Sequence, residues 1–124
     1  MSGRVVHFEI PADDVERARQ FYREAFGWQL QPMPEMGYTL VQTTPTGDQG
    51  PTEPGAINGG MMQRHDPLST VIVVIDVDDI DTALKTVEEL GGTVVRQRMP
   101  IGDMGHAAYF RDPDGNVVGL WQNA

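Results

Sequence analysis

This chain repeats itself. Displaced by 65 positions, IPADDVERARQFYREAFGWQL lies over IDVDDIDTALKTVEELGGTVV. Ile10 then meets Ile75, Asp13-Asp14 meets Asp78-Asp79, Val15 meets Ile80, Ala18 meets Ala83 and Gly27 meets Gly92. Displaced by 68, MGYTLVQTTPTGD lies over MGHAAYFRDPDGN, so that Met36-Gly37 meets Met104-Gly105 and Pro45 and Gly47 meet Pro113 and Gly115. Two ordered blocks separated by a three-residue insertion identify a duplication, and the fold must therefore be two copies of one supersecondary unit.

Each copy reads as the same string of elements. β-Branched runs predict a first strand at 4–10 and at 69–76. Apolar residues at helical spacing follow: Val15, Ala18, Phe21, Tyr22 and Ala25 in a helix over about 14–26, and Ile80, Ala83, Leu84, Val87 and Leu90 in one over about 79–90. Asp13 or Asp14 and Asp78 are natural N-caps, and Gly27 and Gly91-Gly92 natural stops. Three shorter strands come next, at about 28–33, 37–43 and 56–63 and at 93–98, 105–111 and 116–121. The expected class is α+β: a single domain over 1–124 built from two βαβββ modules, about 4–63 and 69–122. Residues 43–55, TTPTGDQGPTEPG, form an expanded polar hairpin loop in the first module. Two such sheets side by side, each with a helix on one face, are expected to curl into a cup with the helices outside.

Composition narrows the function. With no cysteine there is no disulfide, thiol nucleophile or Cys-ligated metal. A net charge of −9 argues against nucleic acid, which wants a basic face. No apolar run has the length of a signal peptide or a membrane span, so a cytoplasmic location and no membrane partner are expected.

HFEIPADDVERARQFYREAFGW, VDDIDTALKTVEELGG and YFRDPDGNVVGLW together resemble the vicinal oxygen chelate superfamily, which includes glyoxalases, extradiol dioxygenases, fosfomycin-modifying enzymes and bleomycin-binding resistance proteins. The resemblance covers nearly the whole chain. It implies the cupped mixed sheet of two βαβββ modules, a homodimer and, in the metal-dependent members, ligands on particular strands. The His of the first strand is here His7; the His of the equivalent second-module strand falls on Ile72; the Glu four residues after the final DPDG turn falls on Gly119. The last strand of the first module, where glyoxalases add a ligand, offers only Asn58. Only His7 matches a family ligand position, so no cofactor and no divalent metal are expected. The glycine at 119 then either opens the cup to a ligand or relieves crowding beside Trp121.

Strand alternation gives an expected lining for the cup. His7 and Glu9 point inward, with Phe8 and Ile10 toward the helix; Ala107, Tyr109, Val117, Gly119 and Trp121 point inward, with Ala108 and Phe110 behind; Thr70, Ile72 and Val74 do the same on the second module's first strand. The lining is apolar and aromatic with few polar groups, as in small-molecule sites. The reading is a small-molecule-binding protein that takes a partly apolar or aromatic ligand through Trp121, Tyr109, Thr70, Ile72, Gly119 and Val117. Two alternatives stay open: a glyoxalase-type metal-dependent lyase or dioxygenase with an altered ligand set, and metal-free acid/base lyase or isomerase chemistry by His7 and Glu9. Whether any reaction is catalysed is not decided by the sequence.

Overall fold

A computed structural model describes residues 3–124. They divide into two compact units, His7–Val71 and Ile72–Ala124 together with the residues up to Val6. The first unit contains β1 (Val5–Ala12, entering at His7), α1 (Val15–Phe26), β2 (Gln29–Met33), β3 (Tyr38–Gln42), β4 (Thr46–Gly47), β5 (Gly50–Pro51) and β6 (Asn58–Gln63). Its sheet runs β2-β3-β6-β1, with β6 parallel to β1 and the other pairs antiparallel. α1 begins where Asp14 accepts the Arg17 N–H at 3.0 Å, and it ends at Gly27, whose φ of 73° suits a left-handed cap.

Aromatic rings fasten α1 to this sheet. Tyr22 stacks on Trp28 with centroids 4.7 Å apart, and Phe8 of β1 meets Trp28 at 5.9 Å. Gly59 lies opposite Phe8, and a Cβ there would come within 2.5 Å of the Phe8 ring. The helix face is narrower than the periodicity suggests. Phe21 and Ala25 are exposed, Phe21 to 57%. Successive helical residues are turned by about 100°, so a helix that aims Tyr22 at Trp28 must aim Phe21 away. The polar loop after β3 carries the small β4–β5 hairpin, held by Asn58 Nδ2, which donates to Thr46 Oγ1 at 2.7 Å.

The second unit contains β7 (Ile72–Asp76), α2 (Ile80–Glu89), β8 (Thr93–Ile101), β9 (Gly105–Arg111) and β10 (Val117–Asn123). Its sheet runs β8-β9-β10-β7, with β10 parallel to β7 and the rest antiparallel. Ile80, Leu84, Ala108 and Leu120 form its core, with Ile75, Val77, Ala83, Val94 and Phe110 packed around them. The N-cap is Asp79, not Asp78: its carboxylate accepts the Asp81 N–H and the Thr82 hydroxyl. Gln122 of β10 adds a cap of its own, its Oε1 accepting the Ile80 N–H at 2.8 Å. Leu90 lies past the last turn and is 74% exposed, so it is not part of the apolar face. β7 starts three residues later than expected, leaving Thr70 exposed outside any strand; the preceding Ser69 carbonyl is taken by the Arg64 guanidinium.

The class is thus α+β, each unit one βαβββ module. No helix among the described residues is long and apolar enough to cross a membrane.

Candidate functional site

The first unit joins three polar side chains on one sheet face. Alternation along β1 sends Phe8 toward α1 and leaves His7 and Glu9 on the opposite face. Tyr38 enters from the start of β3, after the short 3-10 turn Pro34–Met36 and Gly37, whose φ of 61° turns the chain into the strand. Its hydroxyl donates to Glu9 Oε2 at 2.9 Å and lies 2.9 Å from His7 Nε2. One hydroxyl carries one proton, so with that proton on Glu9 the imidazole must donate from Nε2, leaving Nδ1 as its acceptor. Glu9 is 7% exposed. Burial pushes the His7 imidazole below its ordinary pKa, while the nearby Glu9 charge pulls it partly back. His7 and Glu9 are therefore linked, through a phenol that strand alternation did not bring into view.

Tyr38 holds this place because β6 has no side chain beneath it. A Cβ on Gly60 would sit 1.6 Å from the Tyr38 hydroxyl. The consecutive glycines of β6 thus serve opposite faces, Gly59 receiving Phe8 and Gly60 receiving Tyr38. The signal available in the sequence was the combination of NGG on one strand with a tyrosine opening its antiparallel neighbour.

The second unit sorts its expected lining into enclosed and accessible residues. Ala108, Phe110 and Leu120 pack with α2, which sets Tyr109, Gly119, Trp121, Ile72 and Val74 on the other sheet face. Ile72 is fully buried and Tyr109 is 7% exposed. Val117 and Trp121 are half-buried, and Trp121 Nε1 donates to Asn123 Oδ1 at 2.8 Å. Gly119 does not open a space, which corrects one of its two readings. A Cβ there would meet Val74 Cγ2 at 3.0 Å and the Tyr109 ring at 3.3 Å, so the missing side chain makes room for its own neighbours.

The family's divalent metal finds no fitting donor set in these residues. His7 Nε2 is engaged by Tyr38. Ile72 carries no donor, and Gly119 has no side chain, a Cβ there already meeting Val74 and Tyr109. The Asn58 amide is committed to Thr43 N and Thr46 Oγ1. Among the described residues no three His, Asp or Glu side chains are grouped to hold a metal.

Comparison with known proteins bears on the same residues. The model of the bleomycin resistance protein-like N-terminal family matches residues 4–44. A "probable lactoylglutathione lyase" of Vibrio parahaemolyticus is 31% identical over 131 residues, covering 98% of this chain and 92% of its own. In three dimensions the chain resembles a Vibrio splendidus member of the glyoxalase/bleomycin resistance protein/dioxygenase superfamily (TM-score 0.64, 18% identity, 98% and 99% of the two chains). It also resembles a variant of Streptomyces coelicolor methylmalonyl-CoA epimerase in complex with 2-nitronate-propionyl-CoA (TM-score 0.68, 19% identity, 100% and 99%). The chain spans 43% of the length of the mycobacterial relatives it matches at 32% identity.

Proposed function

This chain belongs to the vicinal oxygen chelate superfamily, the glyoxalase/bleomycin resistance protein/dioxygenase group, and we propose that it uses the fold to bind a small, partly apolar or aromatic molecule without a resident metal. The observation that carries the reading is the hydrogen-bonded line His7–Tyr38–Glu9, three converging polar groups on a sheet face that also carries Pro11, Leu40, Gly60 and Met62, with Asn58 beside His7. Small-molecule sites are built this way, from apolar walls and a few fixed polar groups. In the second unit Trp121 offers the aromatic surface for stacking and Val117 an apolar contact. Ile72, Tyr109 and Gly119 act there as support, and Thr70, at the end of the first unit, is an outlying polar contact. A cytoplasmic location and a homodimer belong to the same reading.

A second reading is metal-free acid/base catalysis of the lyase or isomerase kind. The neutral His7 ring favours it, since an imidazole that donates through Nε2 to Tyr38 keeps a basic Nδ1.

The test is fluorescence titration with 8-anilinonaphthalene-1-sulfonate, followed by displacement with lactoylglutathione, methylmalonyl-CoA and bleomycin, compounds named for members of this superfamily. The proposal expects saturable binding that at least one compound displaces, weakened about tenfold or more by Tyr38→Phe or by Trp121→Ala, with no turnover. Turnover that survives a chelator and disappears in His7→Ala would move the assignment to the second reading. Absence of any saturable binding would contradict both.

A further inference from the structure

Glu9 is enclosed, and its influence reaches the open face of the sheet through two other side chains. It is 7% exposed and accepts the Tyr38 O–H at 2.9 Å. The Tyr38 oxygen then has only lone pairs to offer His7, 2.9 Å away, so the imidazole proton sits on Nε2. The other ring nitrogen, Nδ1, is left as a bare acceptor. Among the described residues the buried side-chain nitrogens and oxygens without a partner are Thr44 Oγ1 and His106 Nδ1. His7 Nδ1 has no hydrogen-bond partner among those residues and is not one of the buried two. It is therefore open to whatever reaches the half-buried ring.

The neighbours of this nitrogen define the rest of a ligand. Strand register sets Asn58 beside His7 and Gly60 beside Glu9, with Leu40 next to Gly60 on β3. Leu40 is 38% exposed, so an apolar body has a side chain to lie against close to the polar point. The Asn58 carbonyl is held by the Thr43 N–H. The negative charge of Glu9 is felt at the His7 ring, where it favours an approaching donor and disfavours an anion. Arg19 does not offset it, because its guanidinium donates to Thr39, on the helix side of the sheet. We propose that Glu9, acting through Tyr38, fixes His7 with its acceptor nitrogen outward, so that the site selects ligands whose polar end is a hydrogen-bond donor. Such an end is an amine, an alcohol or an N–H group on an apolar or aromatic body. A ligand offering only carbonyl or carboxylate oxygen sets acceptor against acceptor, and that mismatch costs more than a matched bond contributes. Glu9 is in this a positioning residue. The inference names the ligand class for the binding reading above and rests on it.

Long-range proton–nitrogen-15 correlation spectra of histidine-labelled protein read the tautomer without any ligand, at about pH 8, above the range in which a histidine takes its second proton. The His7 signals, assigned by their loss in His7→Gln, should show the proton on Nε2. In Glu9→Leu the Tyr38 hydroxyl donates to His7 Nε2 instead, and the ring proton should move to Nδ1. In Tyr38→Phe the two forms should mix. Ligand polarity is then read by displacing 8-anilinonaphthalene-1-sulfonate with three probes built on one ring system. These are 2-naphthylmethylamine, which as an ammonium only donates, 2-acetonaphthone, which only accepts, and 2-naphthylmethanol, which does both. The amine and the alcohol should act at concentrations about tenfold or more below the ketone, and in Glu9→Leu the ketone should gain on the amine by about the same factor. A wild-type His7 with its proton on Nδ1, or one tautomer in all three proteins, would overturn the relay. The expected tautomers with equal displacement by the three probes would overturn the ligand class and leave the binding reading standing. No saturable binding of the sulfonate or of any probe would overturn the binding reading, and the ligand class with it.

Discussion

Gly60 is the residue on which the polar line depends. A methyl group there would occupy the position of the Tyr38 hydroxyl and ring edge, and the ring cannot bend around it. Gly60→Ala should therefore lift Tyr38 from Glu9 and cost about 1–3 kcal/mol in chemical denaturation, the usual range for overpacking. In a Tyr38→Ala background the same substitution should cost only a few tenths of a kcal/mol, because the clash and the hydrogen bond are then gone together. Equal costs in the two backgrounds would show that Gly60 matters for another reason. His7 gives a pH signature with a definite sign. Its folded pKa lies below the unfolded value of 6.5, mainly through burial, so between those two values the unfolded chain binds the extra proton. The contribution is complete above pH 6.5 and is lost as pH falls toward the folded pKa. Thermal melting from pH 7.5 to 5 should show a fall that is shallower in His7→Gln; parallel curves would contradict the burial of a neutral imidazole.

The elements were the most legible part of the molecule, because duplication printed each of them twice. Both helices, their order and nearly all the longer strands follow from periodicity and turn residues. What escaped the sequence was each contact made between distant segments. Tyr38 and Glu9 are 29 positions apart, and only the register of β3, β6 and β1 brings them together. The α2 start shows the same thing. Asp78 and Asp79 are equally good capping residues by type, and the choice of Asp79 is fixed by where Ile80 enters the core and by a side chain from β10. Gln122, 42 positions downstream, supplies the acceptor for the Ile80 N–H. Removing it by Gln122→Ala should cost about 1 kcal/mol, as loss of a helix cap does. Gln122→Glu, which keeps the acceptor and adds negative charge at a helix N-terminus, should cost less. If both cost the same, the carboxamide is not acting as a cap.

Taken whole, the chain has the family fold, with His7, Ile72 and Gly119 at the positions where the resemblance places metal ligands. The residue types at these three positions were legible directly. The packing that closes the Gly119 position, through Val74 and Tyr109, was not legible, since it needs three strands in register. The same holds for the Tyr38 hydroxyl that meets His7 Nε2. The decisive measurement is metal analysis of untagged protein for Zn, Ni, Mn, Fe and Co, with thermal melting repeated in each ion and in chelator. No stoichiometric metal and no shift in Tm are expected. Stoichiometric metal, or a metal-induced rise in Tm that His7→Ala abolishes, would contradict the metal-free reading and would mean that His7 leaves Tyr38 to serve a ligand set other than the family's.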